Sequence, residues 1–188
     1  MKSTLFNLVL LIFIPASLLS SDLRLGDNTL KYNLSKEWNA FKSDSTEGTK
    51  YIWFKRNHIT DSKNVEVVPN LGIEIFNIIP EESNTDGSED DLDMMIKTLL
   101  LSKAPPEVLK EYKNSKDDSI RFEIGYKPSY GFVSNYTDDF GDIHDCYYIT
   151  LMKENEVGVF IIIDCTQEIF PHIEKEVKDF LSSLTIES

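Results

Sequence analysis

Hydrophobic and polar positions alternate over several short stretches of this chain. Leu30, Tyr32 and Leu34 fall on one side and Lys31 and Asn33 on the other, the period of two that a half-buried strand requires. Ser35, Lys36 and Glu37 break the pattern before Trp38. The run from Lys50 to Arg56, with Tyr51, Ile52, Trp53 and Phe54 at its centre and Gly48 and Asn57 outside it, predicts a second strand. Residues 57–70 are polar apart from Val65, Val67 and Val68 and close on Pro69, which suits a loop or an edge strand. Leu71 to Ile79 predicts a central strand, with Leu71, Ile73, Ile75 and Ile79 on one face and Phe76 and Ile78 on the other, stopped by Pro80.

The period then changes. Leu92, Met95, Ile96, Leu99 and Leu100 recur at helical spacing, and Pro105 and Pro106 close the amphipathic helix they predict. Alternation returns in Ile120, Phe122, Ile124 and Tyr126 and again in Tyr130, Phe132, Ser134 and Tyr136, which reads as a hairpin turning at Lys127, Pro128 and Ser129. Ile143–Lys153 and Val157–Cys165 are two long strands joined by Glu154, Asn155 and Glu156, a connection short enough only for antiparallel neighbours. Ile173, Val177, Phe180, Leu181 and Leu184 mark a C-terminal amphipathic helix with Pro171 in its first turn. Strands in hairpins, one inserted helix and one terminal helix, without regular strand–helix alternation, predict an α+β fold on an antiparallel sheet.

The N-terminus has a different character. Met1 and Lys2 precede an apolar run from Leu5 to Ile14, then Pro15, then Ala16, Ser17, Ser20 and Ser21, which is the charged, greasy and cleavable order of a secretory signal. The apolar stretch contains Asn7 and Pro15 and falls short of the ~20 residues of a membrane-spanning helix. The expected organisation is therefore a signal peptide over residues 1–21 and a single α+β domain over 22–188, exported to the periplasm or the extracellular space with no transmembrane segment in the mature chain. Formal net charge is −13, and losing Lys2 with the leader makes it one unit more negative. Such a surface repels nucleic acid and anionic membranes, so the expected partner is a protein or small ligand met outside the cytoplasm.

The layout resembles the PsbP/Mog1-like (DcrB-like) family of α/β/α sandwich proteins. The resemblance rests on the opening strand Leu30–Leu34 running through a turn into Trp38, on the closing hairpin Ile143–Cys165, and on the terminal helix ending Phe180, Leu181, Ser182, Ser183, Leu184. That family spans photosystem extrinsic subunits, a Ran-binding import factor and many exported bacterial proteins. The resemblance implies a binding or accessory domain without catalytic residues, and no particular partner, since one fold hosts many functions.

Candidate chemistry is sparse. Cys146 and Cys165 are the only cysteines, one in each long strand. With Asn155 and Glu156 as the turn centre, Glu154 faces Val157 and Cys146 lands opposite Cys165, which predicts a disulfide in an oxidising compartment, worth about 3 kcal/mol from loop closure. The other reading is two buried free thiols. His144 shares a strand face with Cys146, so a thiol or metal enzyme using His144, Cys146 and Cys165 is a second possibility, although no third group marks itself to orient the imidazole. In the acidic stretch before the first helix, Gly87 as the sharp-turn residue of a calcium loop places Glu82, Asn84, Asp86, Ser88, Asp90 and Asp93 at ligand positions. The competing account is that these carboxylates complement the positive end of the helix beginning near Leu92. Aromatics gather between Phe122 and Tyr148, suited to core filling or to lining a groove. Two sequons, at Asn33 and Asn135, lie inside predicted strands. Signatures of zinc proteases, nucleophile elbows, phosphate loops and dinucleotide sites are missing, so neither catalytic residues nor a cofactor are assigned. The reading that results is an exported, non-enzymatic binding or accessory domain, with a calcium-stabilised module and a thiol or metal enzyme as alternatives.

Overall fold

The computed structural model describes residues 19–78, 122–153 and 156–188. In chain order the described elements are β1 (Leu19–Leu25), β2 (Asn28–Leu34), β3 (Trp38–Thr46), β4 (Thr49–Arg56), β5 (Ile59–Thr60), β6 (Glu66–Val67), β7 (Asn70–Asn77), β8 (Ser129–Thr137), β9 (Ile143–Lys153), β10 (Val157–Thr166), α1 (Phe170–Ser182) and β11 (Thr185–Glu187). Six strands form an antiparallel sheet in the order β3-β4-β7-β10-β9-β8, three form a smaller sheet β1-β2-β11, and β5 and β6 pair alone. Among the described residues no helix is long and apolar enough to cross a membrane.

Alternation decides what each face does. Leu71, Ile73 and Ile75 of β7, Ile149 and Leu151 of β9, and Val159, Ile161 and Ile163 of β10 all point to one side of the large sheet. There they meet Leu30, Tyr32 and Leu34 of β2 and the apolar stripe Ile173, Val177, Phe180 and Leu181 of α1. This is the main core. Tyr32 stands edge-on to both Phe54 and Phe180 at about 6 Å, a geometry that the ring quadrupoles favour. The other side of the sheet carries a second cluster of Phe76, Phe132, Cys146, Tyr148 and Phe160. Gly72 and Gly158 on that side leave room for rings, since an added Cβ would stand 2.8 Å from Trp53 and 2.5 Å from Phe76.

The turn after β2 brings Trp38 to the helix. Glu176 of α1 accepts from the Trp38 indole N–H at 2.9 Å, from the Ser35 hydroxyl at 3.0 Å and from Nη2 and Nε of Arg56 at 2.9 and 3.2 Å. The carboxylate thus gathers the ends of β2, β3 and β4 onto one helix turn. Burial pushes the Glu176 carboxyl up, but the Arg56 hydrogen bonds and charge, with Ser35 and Trp38, outweigh it and hold the group below its usual range.

Two expectations need correction. Residues 122–128 are irregular, so the predicted hairpin of 120–126 with 130–136 does not form; β8 pairs with β9 instead. The competing partner is the helix end, where the Gly125 N–H donates to Leu181 O at 2.9 Å and takes its backbone out of reach of a sheet ladder. The expected disulfide is absent, and both cysteines are free and buried. Val157 pairs with Lys153, so Cys146 faces Asp164 and Cys165 faces Asp145. The connection spans three residues where the disulfide required a two-residue turn centre, and a slip of one residue sends a side chain to the opposite face. Cys165 therefore enters the main core while Cys146 enters the second cluster. The inserted helix predicted from Leu92, Met95, Ile96, Leu99 and Leu100 lies outside the described residues.

Candidate functional site

His144 and Cys146 do share a sheet face, as their spacing required, but they do not act on one another. His144 sits at the end of β9, with its Nδ1 2.9 Å from Asp164 Oδ1 and 3.2 Å from the Tyr136 hydroxyl. Its Nε2 lies 3.5 Å from Asp138 Oδ2, and the Tyr136 ring stacks on the imidazole at 4.7 Å. Tyr136 also donates to Asp164 Oδ2 at 3.0 Å. Burial, then the charge and hydrogen bond of Asp164, push the Tyr136 phenol well above its usual value, so it remains a donor. Both imidazole nitrogens are occupied by carboxylates, and among the described residues no serine, threonine or cysteine bonds Nε2. The arrangement ties β8, β9 and β10 together at this end of the sheet.

The thiols are correspondingly inert. Burial pushes the Cys146 thiol up to about 12, against a hydrogen bond from Tyr148 and with the Asp164 charge adding to the rise. Burial, Asp164 and Asp145 push Cys165 up to about 12 as well. Nucleophilic and metal-binding cysteines need the thiolate, which these sites suppress. Among the described residues no group of three His, Cys, Asp or Glu side chains is placed to hold a metal ion. The calcium candidates Glu82, Asn84, Asp86, Ser88, Asp90 and Asp93 lie outside the described residues.

What the His144 cluster does is hold a turn. Asp138 Oδ1 accepts from the Phe140 and Asp142 amides at 2.9 and 2.8 Å, and its own amide donates to Asp142 O at 3.0 Å. Gly141 supplies the positive φ of 86° that closes the loop. The Asp142 amide, then the Phe140 amide and His144, hold the Asp138 carboxyl below its ordinary range against the effect of burial. The product is a pinned β8–β9 turn with Phe140 at its tip, 89 % exposed. Ile143 beside it is about half exposed.

Two further loops meet this turn. In the β5–β6 loop, Asp61 Oδ1 caps the Lys63 and Val65 amides at 2.8 and 2.7 Å, and Lys63 Nζ reaches Asp142 at 2.5 Å. From the β10–α1 connection, Glu168 Oε1 accepts from the Ser62 amide at 2.6 Å, and the Gln167 amide donates to Ile143 O at 2.8 Å. Between them lies an open cleft of about 210 Å³ lined by Asp61, Gly141, Asp142, Ile143, Thr166, Gln167 and Glu168. A larger cleft of about 320 Å³ lies across the sheet, bounded by Lys42, Tyr51, Trp53 and Phe160 among others.

The aromatics predicted between Phe122 and Tyr148 divide by face. Phe122 and Tyr147 stack with Phe170 over the main core, and Phe132 stacks on Tyr148 on the other side. Phe140 is the most exposed of that series, well ahead of Tyr136, whose ring is stacked on His144. Sequence reading placed it in the aromatic group without separating it. The available signal was its setting, since Asp138, Asp139, Gly141 and Asp142 around it are turn formers. The partners of His144, by contrast, are scattered over residues 136–164 and carried no local signature.

No protein-family model matches the chain, and no curated protein does either. Among solved structures, LpqN, described as involved in cell envelope biogenesis of Mycobacterium tuberculosis, matches at a TM-score of 0.51 and 12 % identity over 91 % of this chain and 92 % of that one. The chain shares the fold of LpqN. At this identity the likeness is one of fold. A Bacteroides thetaiotaomicron VPI-5482 protein matches at 0.44 and 15 % identity over 85 % of this chain and 45 % of that one. The Saccharomyces cerevisiae Ran-binding protein Mog1p matches at 0.42 and 7 % identity over 88 % and 87 %.

Proposed function

We propose that the protein is an exported, non-enzymatic accessory domain that docks a partner protein through the corner built by the β5–β6 loop, the β8–β9 turn and the β10–α1 connection. The observation that carries this is Phe140, 89 % exposed on a turn that is hydrogen-bonded from both ends. An aromatic ring held out on a rigid support loses little conformational freedom on binding, and such anchors supply a large share of interface energy. Export is supported by the leader Met1–Ser21. The absence of enzymatic activity is supported by an imidazole occupied on both nitrogens and thiols kept protonated by burial.

The test is a photo-crosslinking amino acid introduced at position 140 in producing cells, with position 175, also on the surface, as the control. A discrete protein adduct outside the cytoplasm from position 140 and none from 175 is the expected result. Adducts indistinguishable at the two positions, or a protein retained in the cytoplasm with its leader intact, refute the reading.

A further inference from the structure

The cleft beside Phe140 has an unbalanced charge. Asp61, Asp142 and Glu168 contribute three carboxylates to its wall, and the β5–β6 loop answers with one ammonium, Lys63. Each carboxylate spends one oxygen inside the protein: Asp61 Oδ1 on two amides, Glu168 Oε1 on the Ser62 amide and Asp142 Oδ1 on Lys63. Their second oxygens have no partner among the described residues. The three charges act together, for the Lys63 ammonium is held charged first by its hydrogen bond to Asp142, then by the Asp142 charge, with Asp61 and Glu168 adding.

A second observation is independent of the charge. Thr166 also lines the cleft, is only 7 % exposed, and its hydroxyl has no hydrogen-bond partner. A buried hydroxyl left unmade is costly, and unsatisfied groups of this kind call for an explanation, of which a missing ligand is one. The cleft therefore offers spare carboxylate oxygens to a donor-only, positively charged group. It lies next to an apolar anchor, Phe140 with Ile143, on a molecule whose net charge of −13 disfavours a second copy of itself.

We infer that the cleft seats an arginine or lysine side chain of the partner protein, whose apolar pocket receives Phe140. This rests on the docking reading above and adds to it the chemical class of the partner: a basic segment with a hydrophobic socket beside it. The charge pair steers encounter and fixes register, and a guanidinium carries several N–H donors for the single spare oxygen on each carboxylate. The Lys63–Asp142 pair already present shows that an ammonium is accommodated here.

The experiment uses a phage-displayed random dodecapeptide library panned on the full chain and counter-selected on Phe140→Ser, followed by calorimetry of the enriched peptides. The comparison protein is Asp61→Asn/Glu168→Gln, whose amide oxygens still accept the capping bonds, so the loops keep their shape. Enriched peptides should place Arg or Lys near an apolar residue, bind the double variant about tenfold or more weakly, and lose affinity as salt rises. Phe140-dependent peptides that lack a cation, or that bind the double variant equally well, overturn the inference and leave the docking reading standing. Failure to obtain any Phe140-dependent peptide, together with no adduct from position 140, overturns both. Dimerisation of the free protein that is abolished by Phe140→Ser also overturns the basic-partner inference.

Discussion

Replacing Glu176 by alanine removes one carboxylate and strands three donors. The Arg56 and Glu176 side chains are 13 % and 21 % exposed, so their ion pair is largely withdrawn from water. Breaking a buried pair from one side costs about 3 to 5 kcal/mol, and partial solvent access here argues for the lower end. The Trp38 indole N–H, on a residue 6 % exposed, loses its acceptor at the same time, a loss of about 1 kcal/mol or more when no water replaces it. Together these give about 4 kcal/mol, or close to 2 M in urea midpoint for a slope of about 2 kcal/mol per molar. Urea unfolding followed by far-ultraviolet circular dichroism measures this directly. Glu176→Gln, which keeps an acceptor for Trp38 and Ser35 but loses the charge, should cost less. The same group sets an acid limb. Because the folded carboxyl lies below its ordinary value of 4.5, the native state favours the ionised form. Its contribution is full above about pH 4.5, and is lost as pH falls through the lower folded value. Wild type should therefore lose stability over that interval more steeply than Glu176→Gln. A midpoint shift below about 0.5 M for Glu176→Ala, or identical acid limbs for the two proteins, would refute the latch.

Other outcomes follow from the same packing. Protein purified without reductant should show two free thiols when titrated under denaturing conditions, and unfolding should be insensitive to dithiothreitol, because Cys146 and Cys165 occupy opposite faces; an intact mass two protons light would count against the register. Thr150→Val should raise stability by about 1 kcal/mol in the same urea assay, since the hydroxyl is fully buried without a partner and valine keeps its shape. Gly125→Ala should destabilise by about 1 to 3 kcal/mol or more, since its Cβ would stand 2.1 Å from the Ser182 carbonyl oxygen, a backbone atom that cannot swing away. Asp138→Ala should speed hydrogen exchange at the Phe140 and Asp142 amides that its side chain caps, and weaken the position-140 crosslink while leaving the fold in place.

Much of the fold could be read from local pattern. Alternation in Leu30–Leu34 marked a strand with one buried face, while the apolar runs in Leu71–Ile75, Ile143–Lys153 and Val157–Cys165 marked strands that the two clusters bury on both faces. The helical stripe Ile173, Val177, Phe180, Leu181 likewise marked α1 and its buried side. Strands such as β3 escaped notice, since all its residues after Trp38 are exposed and no burial imposes a pattern on them. What only the tertiary structure decided was register and convergence. One residue in the β9–β10 connection determined whether two cysteines met or parted, and nothing in the neighbouring sequence encodes that count. Asp61, Asp142, Thr166 and Glu168 come together from three segments spread over about a hundred residues of chain, and Ser35, Trp38 and Arg56 meet Glu176 of α1 from 120 residues or more away. Periodicity reports which way a side chain points, whereas a site depends on which distant backbones the core draws together.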